Sequence, residues 1–275
     1  MQWATDNDSR DNHPRPIVIV LGCDEVGSAI AHRLHGDGHA VVIVDRVDPP
    51  WPRRGMSFTD AWYTGASELS GTSALFCASV RSIPSVLNRY RAIAATTRSW
   101  TDVASALSAV AMIETRPPSE RRAPPEATAT SPVFTIEVVP GAIAGPEFDI
   151  AIPTPAHERD TLTWVLHAPS AGRFATNRSI GERVRSGDPV GAVGGVSIVA
   201  PLDGSLRGLA ARGARVSAGA VLVEIDPRGD PSHCYGIGLR AGAIAAAVSD
   251  ALAVECSMRP AANPRGVYYR SALLG

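Results

Sequence analysis

The 275-residue chain is 45% apolar with a net charge of −1, long enough for two modest domains and without a general electrostatic pull toward nucleic acid or anionic lipid. All 26 basic residues are arginine. The absence of lysine excludes Schiff-base catalysis, biotinylation and lipoylation together, since each needs an ε-amino group.

Residues 1–16 (MQWATDNDSRDNHPRP) are polar, lack the apolar centre of a signal peptide and read as a disordered tail. No run of about 18 apolar residues follows, so no membrane span and a cytoplasmic location are expected. Cys23, Cys77, Cys234 and Cys256 are scattered without a C-x-x-C pair, the pattern of reduced thiols rather than of a metal site. Ile17–Leu21 (IVIVL) is a β-branched run typical of a buried parallel strand. A glycine turn at Gly22 leads into Ser28–His35 at helical spacing, ended by Gly36 and Gly38. Ala40–Val44 is a second buried strand closing on Asp45, which completes the opening of a βαβ unit. Leu75–Ser79 reads as a third strand, and Ser85–Ala95 and Thr101–Met112 as helical or mixed. Arg116–Pro132 is rich in proline and charge and reads as an exposed loop. Val133–Val139 and Phe148–Ile152 are strand-like.

An internal repeat follows. Ala168-Pro169 and Ala200-Pro201 stand at an offset of 32 residues. The same offset carries Gly172 to Gly204, Gly181 to Gly213, Arg183-Val184 to Arg215-Val216, Gly187 to Gly219, Val190 to Leu222 and Val193 to Ile225. The glycines suit positive-φ turns between short strands, and the apolar positions suit a core shared by both copies. The pattern resembles the biotinyl/lipoyl barrel-sandwich domain, whose modified lysine would fall near Gly194, Gly195, Val196 and Ser197. The resemblance implies the fold, and the missing lysine denies biotin and lipoate.

The stretch Gly22-Cys23-Asp24-Glu25-Val26-Gly27 stands where a G-x-G-x-x-G dinucleotide loop would stand, and Asp45 lies where a ribose-binding acid belongs. The middle glycine is replaced by Asp24, with Glu25 next to it. Two carboxylates at a phosphate site repel the ligand and oppose the attraction of the helix N-terminus for anions, which weighs against NAD(P). Arg53 and Arg54, after Pro49-Pro50-Trp51-Pro52, suit either a grip on phosphate or carboxylate or surface pairing with Asp48 and Asp60. Cys234 precedes an Ala-rich helix. It reads as an activated thiolate at a helix N-terminus or, more commonly for a free cysteine, as a buried small apolar residue. His32 and His35 share a helix face without visible further ligands, so no metal site is assigned.

Three stretches extend to a wider resemblance. Arg53, Arg54, Ser57, Phe58, Ala61, Tyr63 and Gly65 match R-R-x-V-S-F-x-x-A-x-Y-x-G. Asp226, Pro227, Arg228, Gly229, Cys234 and Ile237 match D-P-R-G-x4-C-x2-I, and Pro140, Gly141, Ala144 and Gly145 match P-G-x-x-A-G. In their order along the chain they resemble the YqeB-type accessory proteins of selenium-dependent molybdenum hydroxylase systems, related to the XdhC maturation factors. The resemblance implies a non-catalytic accessory protein that binds a partner enzyme or small ligand. The chain departs from the family at the first loop, where G-x-G-D-x-x-[TS]-G is expected, and in an R-G-H-x-L-G stretch reduced to Ala156-His157-Glu158.

The expected architecture is α/β plus all-β. A Rossmann-like domain spans 17–165, a biotinyl/lipoyl-like barrel-sandwich spans 166–228, and a C-terminal helix and tail over 229–275 packs back on the first domain. The ligand-binding candidates are Gly22, Cys23, Asp24, Ser28, Asp45, Arg53, Arg54, Arg228 and Cys234. A protein partner is expected, nucleic acid and membrane are not, and homo-oligomerisation stays open. Two alternatives stand beside the accessory reading: an NAD(P)-dependent oxidoreductase using the degenerate loop, and a structural subunit docked through the unmodified β unit.

Overall fold

A computed structural model of the chain describes residues 15–117, 134–139, 142–145, 148–151 and 163–258. The expectations for the tail before residue 15, for most of the Pro-rich loop, for Pro140-Gly141 and for His157 lie outside the described residues.

The β-branched runs at β1 (Ile17–Leu21) and β2 (Ala40–Val44) pair in parallel, with Val18 opposite Val41 and Val20 opposite Ile43. Between them runs α1 (Glu25–Gly36), which buries Val26, Ala29, Ile30 and Leu34 along one face. Asp24 caps this helix by accepting from the Gly27 amide. Next come α2 (Ala61–Thr64), β3 (Ala66–Leu69), β4 (Thr72–Phe76), α3 (Ile83–Asn88), β5 (Ile93–Thr96), α4 (Trp100–Leu107) and β6 (Ala111–Glu114). The strands β7 (Phe134–Val139), β8 (Ala142–Gly145) and β9 (Phe148–Ala151) complete one nine-stranded sheet, ordered β3-β4-β5-β2-β1-β6-β7-β8-β9. From β4 to β7 the neighbours are parallel, while β3, β8 and β9 add antiparallel edges. The stretches read as helical or mixed resolve into α3 then β5, and α4 then β6.

The alternation of β1 divides the core. Val18 and Val20 face α1, while Ile19 and Leu21 join Ile83, Leu87 and Val103 on the opposite face. The long helix α5 (Leu239–Met258) packs on α1 through Ala241, Ile244, Ala245, Val248, Ala251 and Leu252, a stripe at helical spacing. By length and composition this helix could cross a membrane, although no unbroken run of about 18 apolar residues marks it in the sequence. Its buried stripe nonetheless packs on α1.

The 32-residue repeat governs the second half. The first copy supplies β10 (Trp164–His167), β11 (Gly172–Ala175), β12 (Arg183–Val184) and β13 (Pro189–Val193). At the same offset the second supplies β14 (Val196–Val199), β15 (Gly204–Leu209), β16 (Arg215–Val216) and β17 (Val221–Asp226). They interleave into two four-stranded sheets, β10-β17-β15-β12 and β14-β13-β11-β16. Even single hydrogen bonds recur: the Gly181 amide donates to Leu206, and the Gly213 amide to Phe174. Gly181 and Gly213 hold φ of 79° and 84°, a region that favours glycine.

The expected arrangement of a Rossmann-like domain followed by a biotinyl/lipoyl-like barrel-sandwich is therefore corrected. The first sheet is mixed and nine-stranded with antiparallel strands at both edges, and the repeat divides its strands between two further sheets. The third strand expected at Leu75–Ser79 lies earlier, at β4 (Thr72–Phe76), and its hairpin partner β3 went unseen because ASEL is short and half-exposed, without the buried apolar run that marks a parallel strand.

Candidate functional site

At the C-terminal ends of β1 and β2, five of the sequence candidates converge. Gly22 has φ of 111° and donates its amide to the Val44 carbonyl. A Cβ on Gly27 would lie 2.1 Å from the Gly22 carbonyl oxygen, so the two glycines permit the close approach of helix and strand. Cys23 is fully buried. Its amide donates to Asp45 Oδ2 at 2.7 Å, and the Trp51 indole donates to the same oxygen at 2.9 Å. The Arg46 amide fills Oδ1 at 2.7 Å. Ser28 donates to the Cys23 carbonyl and accepts from the Phe58 amide, while Thr59 donates to that same carbonyl. Burial, with the Asp45 charge beside it, pushes the Cys23 thiol well up, away from the thiolate that nucleophilic chemistry requires. Burial and the Glu25 charge together lift the Asp24 carboxyl to about 6.

Beyond Asp45 an open cleft of about 490 Å³ lies between the loop after β2 and the turn joining β16 to β17, lined by Arg46, Asp48, Arg215 and Ser217. The Arg46 guanidinium rests over the Trp51 ring, 5.9 Å from its centroid.

Arg53 and Arg54 bridge the first sheet and the repeat. Arg53 Nη1 meets Glu25 Oε2 at 2.5 Å and its Nε meets Glu224 Oε2 at 2.6 Å, so one guanidinium joins the start of α1 to β17. Arg54 donates through Nε to the Leu209 carbonyl at 2.8 Å and also pairs with Asp60. The Leu209 amide returns a bond to Pro52 at 2.7 Å. Both arginines are thus engaged by the chain's own acceptors.

The last two candidates lie at the C-terminal end of β17 and in the turn that follows it. Arg228 holds Asp226 through Nε and Nη2, and the Cys234 thiol donates to Ser205 Oγ at 3.7 Å. Cys234 is fully buried, and that burial raises its thiol. The Gly55 loop lies against this segment, with the Gly236 amide bonded to the Gly55 carbonyl at 3.0 Å. Structure thus brings Gly22, Cys23, Asp24, Ser28 and Asp45 to one end of a polar seam. Arg53 and Arg54 lie along it, and Arg228 and Cys234 close it.

Sequence reasoning missed Glu25 and Glu224 as the partners of Arg53, and Trp51 and Thr59 as supports of Asp45 and Cys23. It also missed Arg207, and it marked Asp226 only as part of the D-P-R-G motif. One signal was available: the repeat offset sets Glu224 against Ala192 and Asp226 against Gly194, charged residues where the first copy has none.

The molecule is defined as a mixed α/β sheet unit joined through a buried polar seam to a duplicated β unit. No protein-family model matches the chain. It is 27% identical over 269 residues to the uncharacterized protein YqeB of Escherichia coli (strain K12), covering 88% of this chain and 49% of YqeB, which supports a distant YqeB-like relationship. The chain spans about half the length of that relative. A shorter match, 40% identical over 48 residues, is to the Trk system potassium uptake protein TrkA of Streptomyces coelicolor, covering 18% of this chain and 22% of TrkA. Among solved structures, an aspartoacylase family protein from Mesorhizobium loti aligns with 78% of this chain and 86% of its own, at a TM-score of 0.23 and 8% identity. A succinylglutamate desuccinylase/aspartoacylase family protein from Shewanella amazonensis aligns with 76% and 54%, at 0.20 and 13%. Scores this low assign neither fold nor function.

Proposed function

We propose that this chain is a non-catalytic accessory protein of a molybdenum-hydroxylase-type enzyme system, cytoplasmic and acting by binding a partner. The carrying observation is the glycine loop. Its Cys23 and Gly27 amides point to Asp45 and Asp24 at 2.7 and 2.8 Å. A dinucleotide would need those amides for its pyrophosphate and the Asp45 carboxylate for its ribose. Both are committed to internal bonds, which counts against the oxidoreductase alternative. The distant similarity to YqeB favours an accessory role, and the molybdenum association rests on the motif resemblance.

The structural-subunit reading supplies the way a partner docks. Trp164 and Val165 on β10, and Val196 and Val199 on β14, are exposed apolar residues on the equivalent edge strands of the two copies, with Trp164 and Val196 at the same repeat position. Native mass spectrometry of the tagged protein, purified gently from its own cells, tests the proposal. A stable complex with a molybdenum-cofactor enzyme is the expected result. A chain that runs alone and binds NAD(P) saturably at micromolar concentration overturns it.

A further inference from the structure

The outer face of the second repeat copy carries charges that its strand fold does not require. Arg207 on β15 and Glu224 and Asp226 on β17 are 7%, 8% and 0% exposed. Two of these charges are answered within the chain, Glu224 by Arg53 and Asp226 by the chelating Arg228. Arg207 is not. Its guanidinium makes no hydrogen bond among the described residues, and its Nε is buried without a partner. A buried Nε–H left unpaired is costly, and native chains seldom keep one without a use for it.

The backbone around Arg207 is also particular to this copy. In the first copy β11 meets β13 in unbroken register, Phe174 opposite Val193 and Ala175 opposite Ala192. In the second, Leu206 faces Ile225 but Gly208, not Arg207, faces Glu224. Arg207 is the extra residue of a β-bulge, a device that re-aims a side chain and recurs beside binding sites. Its equivalent by the repeat offset is Ala175, so neither the bulge nor the arginine belongs to the duplicated architecture. Two residues earlier, the Ser205 hydroxyl faces the Cys234 thiol. β15, which carries Arg207, packs against both β17 and the turn at Pro231–Cys234. Arg228, with its side chain 47% exposed, stands on the solvent side of Asp226.

We propose that Arg207 anchors a small oxyanion, the phosphate or carboxylate group of a small-molecule ligand, with Arg228 as the outer arm of the site. Asp226 does not defeat the attraction, because Arg228 already chelates it. Glu224 is likewise occupied by Arg53. An oxyanion supplies the acceptor that the buried Nε lacks, through a charge-assisted bond of the kind guanidinium groups form with phosphate and carboxylate. The site is distinct from the glycine loop and does not rest on the partner-binding reading.

Thermal unfolding of the full chain at matched ionic strength in chloride, inorganic phosphate or acetate tests the proposal. The wild type should show a saturable rise of several degrees with at least one oxyanion. A response to phosphate alone marks a phosphate-bearing ligand, and one to acetate alone a carboxylate. Arg207→Met should lose the rise and unfold at a higher temperature than the wild type in chloride, because the unpaired buried Nε–H is gone. An unresponsive wild type, or an equal rise in Arg207→Met, overturns the site. If Arg207→Met fails to fold, calorimetric titration of the wild type and Arg228→Gln with the responsive anion decides. One-to-one binding weakened about tenfold by Arg228→Gln supports the site, whereas no saturable heat, or binding unchanged by Arg228→Gln, refutes it.

Discussion

The two copies of the 32-residue repeat share glycines, strand positions and hydrogen bonds, yet they live in different surroundings. In the first copy β11 buries one side chain, Phe174, and leaves Arg173 and Ala175 exposed. In the second, every residue of β15 is buried, because the loop at Pro52–Gly55 and the turn at Pro231–Cys234 lie over its outer face. The inward residues answer to the shared core and stay apolar in both copies. The outward residues answer to what covers them, and only the covered copy carries Arg207, Glu224 and Asp226. Duplication thus separates what the fold needs from what has been added to it.

The sharpest way to break this comparison is to attack the shared core from both sides. Phe174 and Leu206 are equivalent by the offset, and both lie in the cluster with Val184, Val216 and Ile225. Phe174→Ala should cost about 3–5 kcal/mol and Leu206→Ala about 2–5 kcal/mol in denaturant unfolding, since each leaves a cavity. If Phe174→Ala cost less than about 1 kcal/mol while Leu206→Ala kept its full effect, the copies would not share one core.

A smaller effect is expected where the copies differ. Arg53→Ala removes the partner of both Glu25 and the nearly buried Glu224. With the arginine side chain 27% exposed, solvent screening lowers the expected loss to about 2–3 kcal/mol. Arg173→Ala, on the open face of the first copy, should change stability by less than about 0.5 kcal/mol. Loosening the seam should also speed thiol labelling at buried Cys234. Equal losses from the two variants would mean that the seam does not hold the second copy in place.

The inward half of this design was legible in the sequence and the outward half was not. Gly181, Gly187, Gly213 and Gly219 could be read because a positive-φ turn admits few other residues. The strand alternation of Val190 and Val193, repeated at Leu222 and Ile225, could be read because a core asks only for apolarity. Arg53 was recognisable as a residue that grips carboxylates, but its two acids lie 28 and 171 positions away, and no local pattern selects them. The same limit hid the use of Asp45. Its place at the end of β2 suits a ribose, while its three donors come from Cys23, Arg46 and Trp51 once the chain is folded. Arg207 is marked only by contrast with Ala175 at the repeat offset, a comparison that gains meaning once the bulge is seen.

The smallest expected effect concerns the acidic end of the seam, which the open copy lacks. Asp24 caps α1 beside Glu25, and its carboxyl is lifted from 3.8 to about 6, chiefly by burial and then by the Glu25 and Asp45 charges. An acid raised in the folded state binds more protons there than in the unfolded chain between those two values. Stability should therefore fall as pH rises from about 4 to 6, with the penalty fully present above 6. Partial exposure of Asp24 keeps the penalty to roughly 1 kcal/mol, against the larger value that a fully buried group with this shift would give. Asp24→Asn keeps a side-chain oxygen for the Gly27 amide, since asparagine caps helices as well as aspartate does. The variant should match or exceed the wild type above pH 6 and remove this part of the slope below it. Denaturant titrations at pH 4.5 and 7 in both proteins would decide. A slope unchanged by Asp24→Asn would assign the pH dependence to other carboxylates and leave the cap electrostatically neutral in folding.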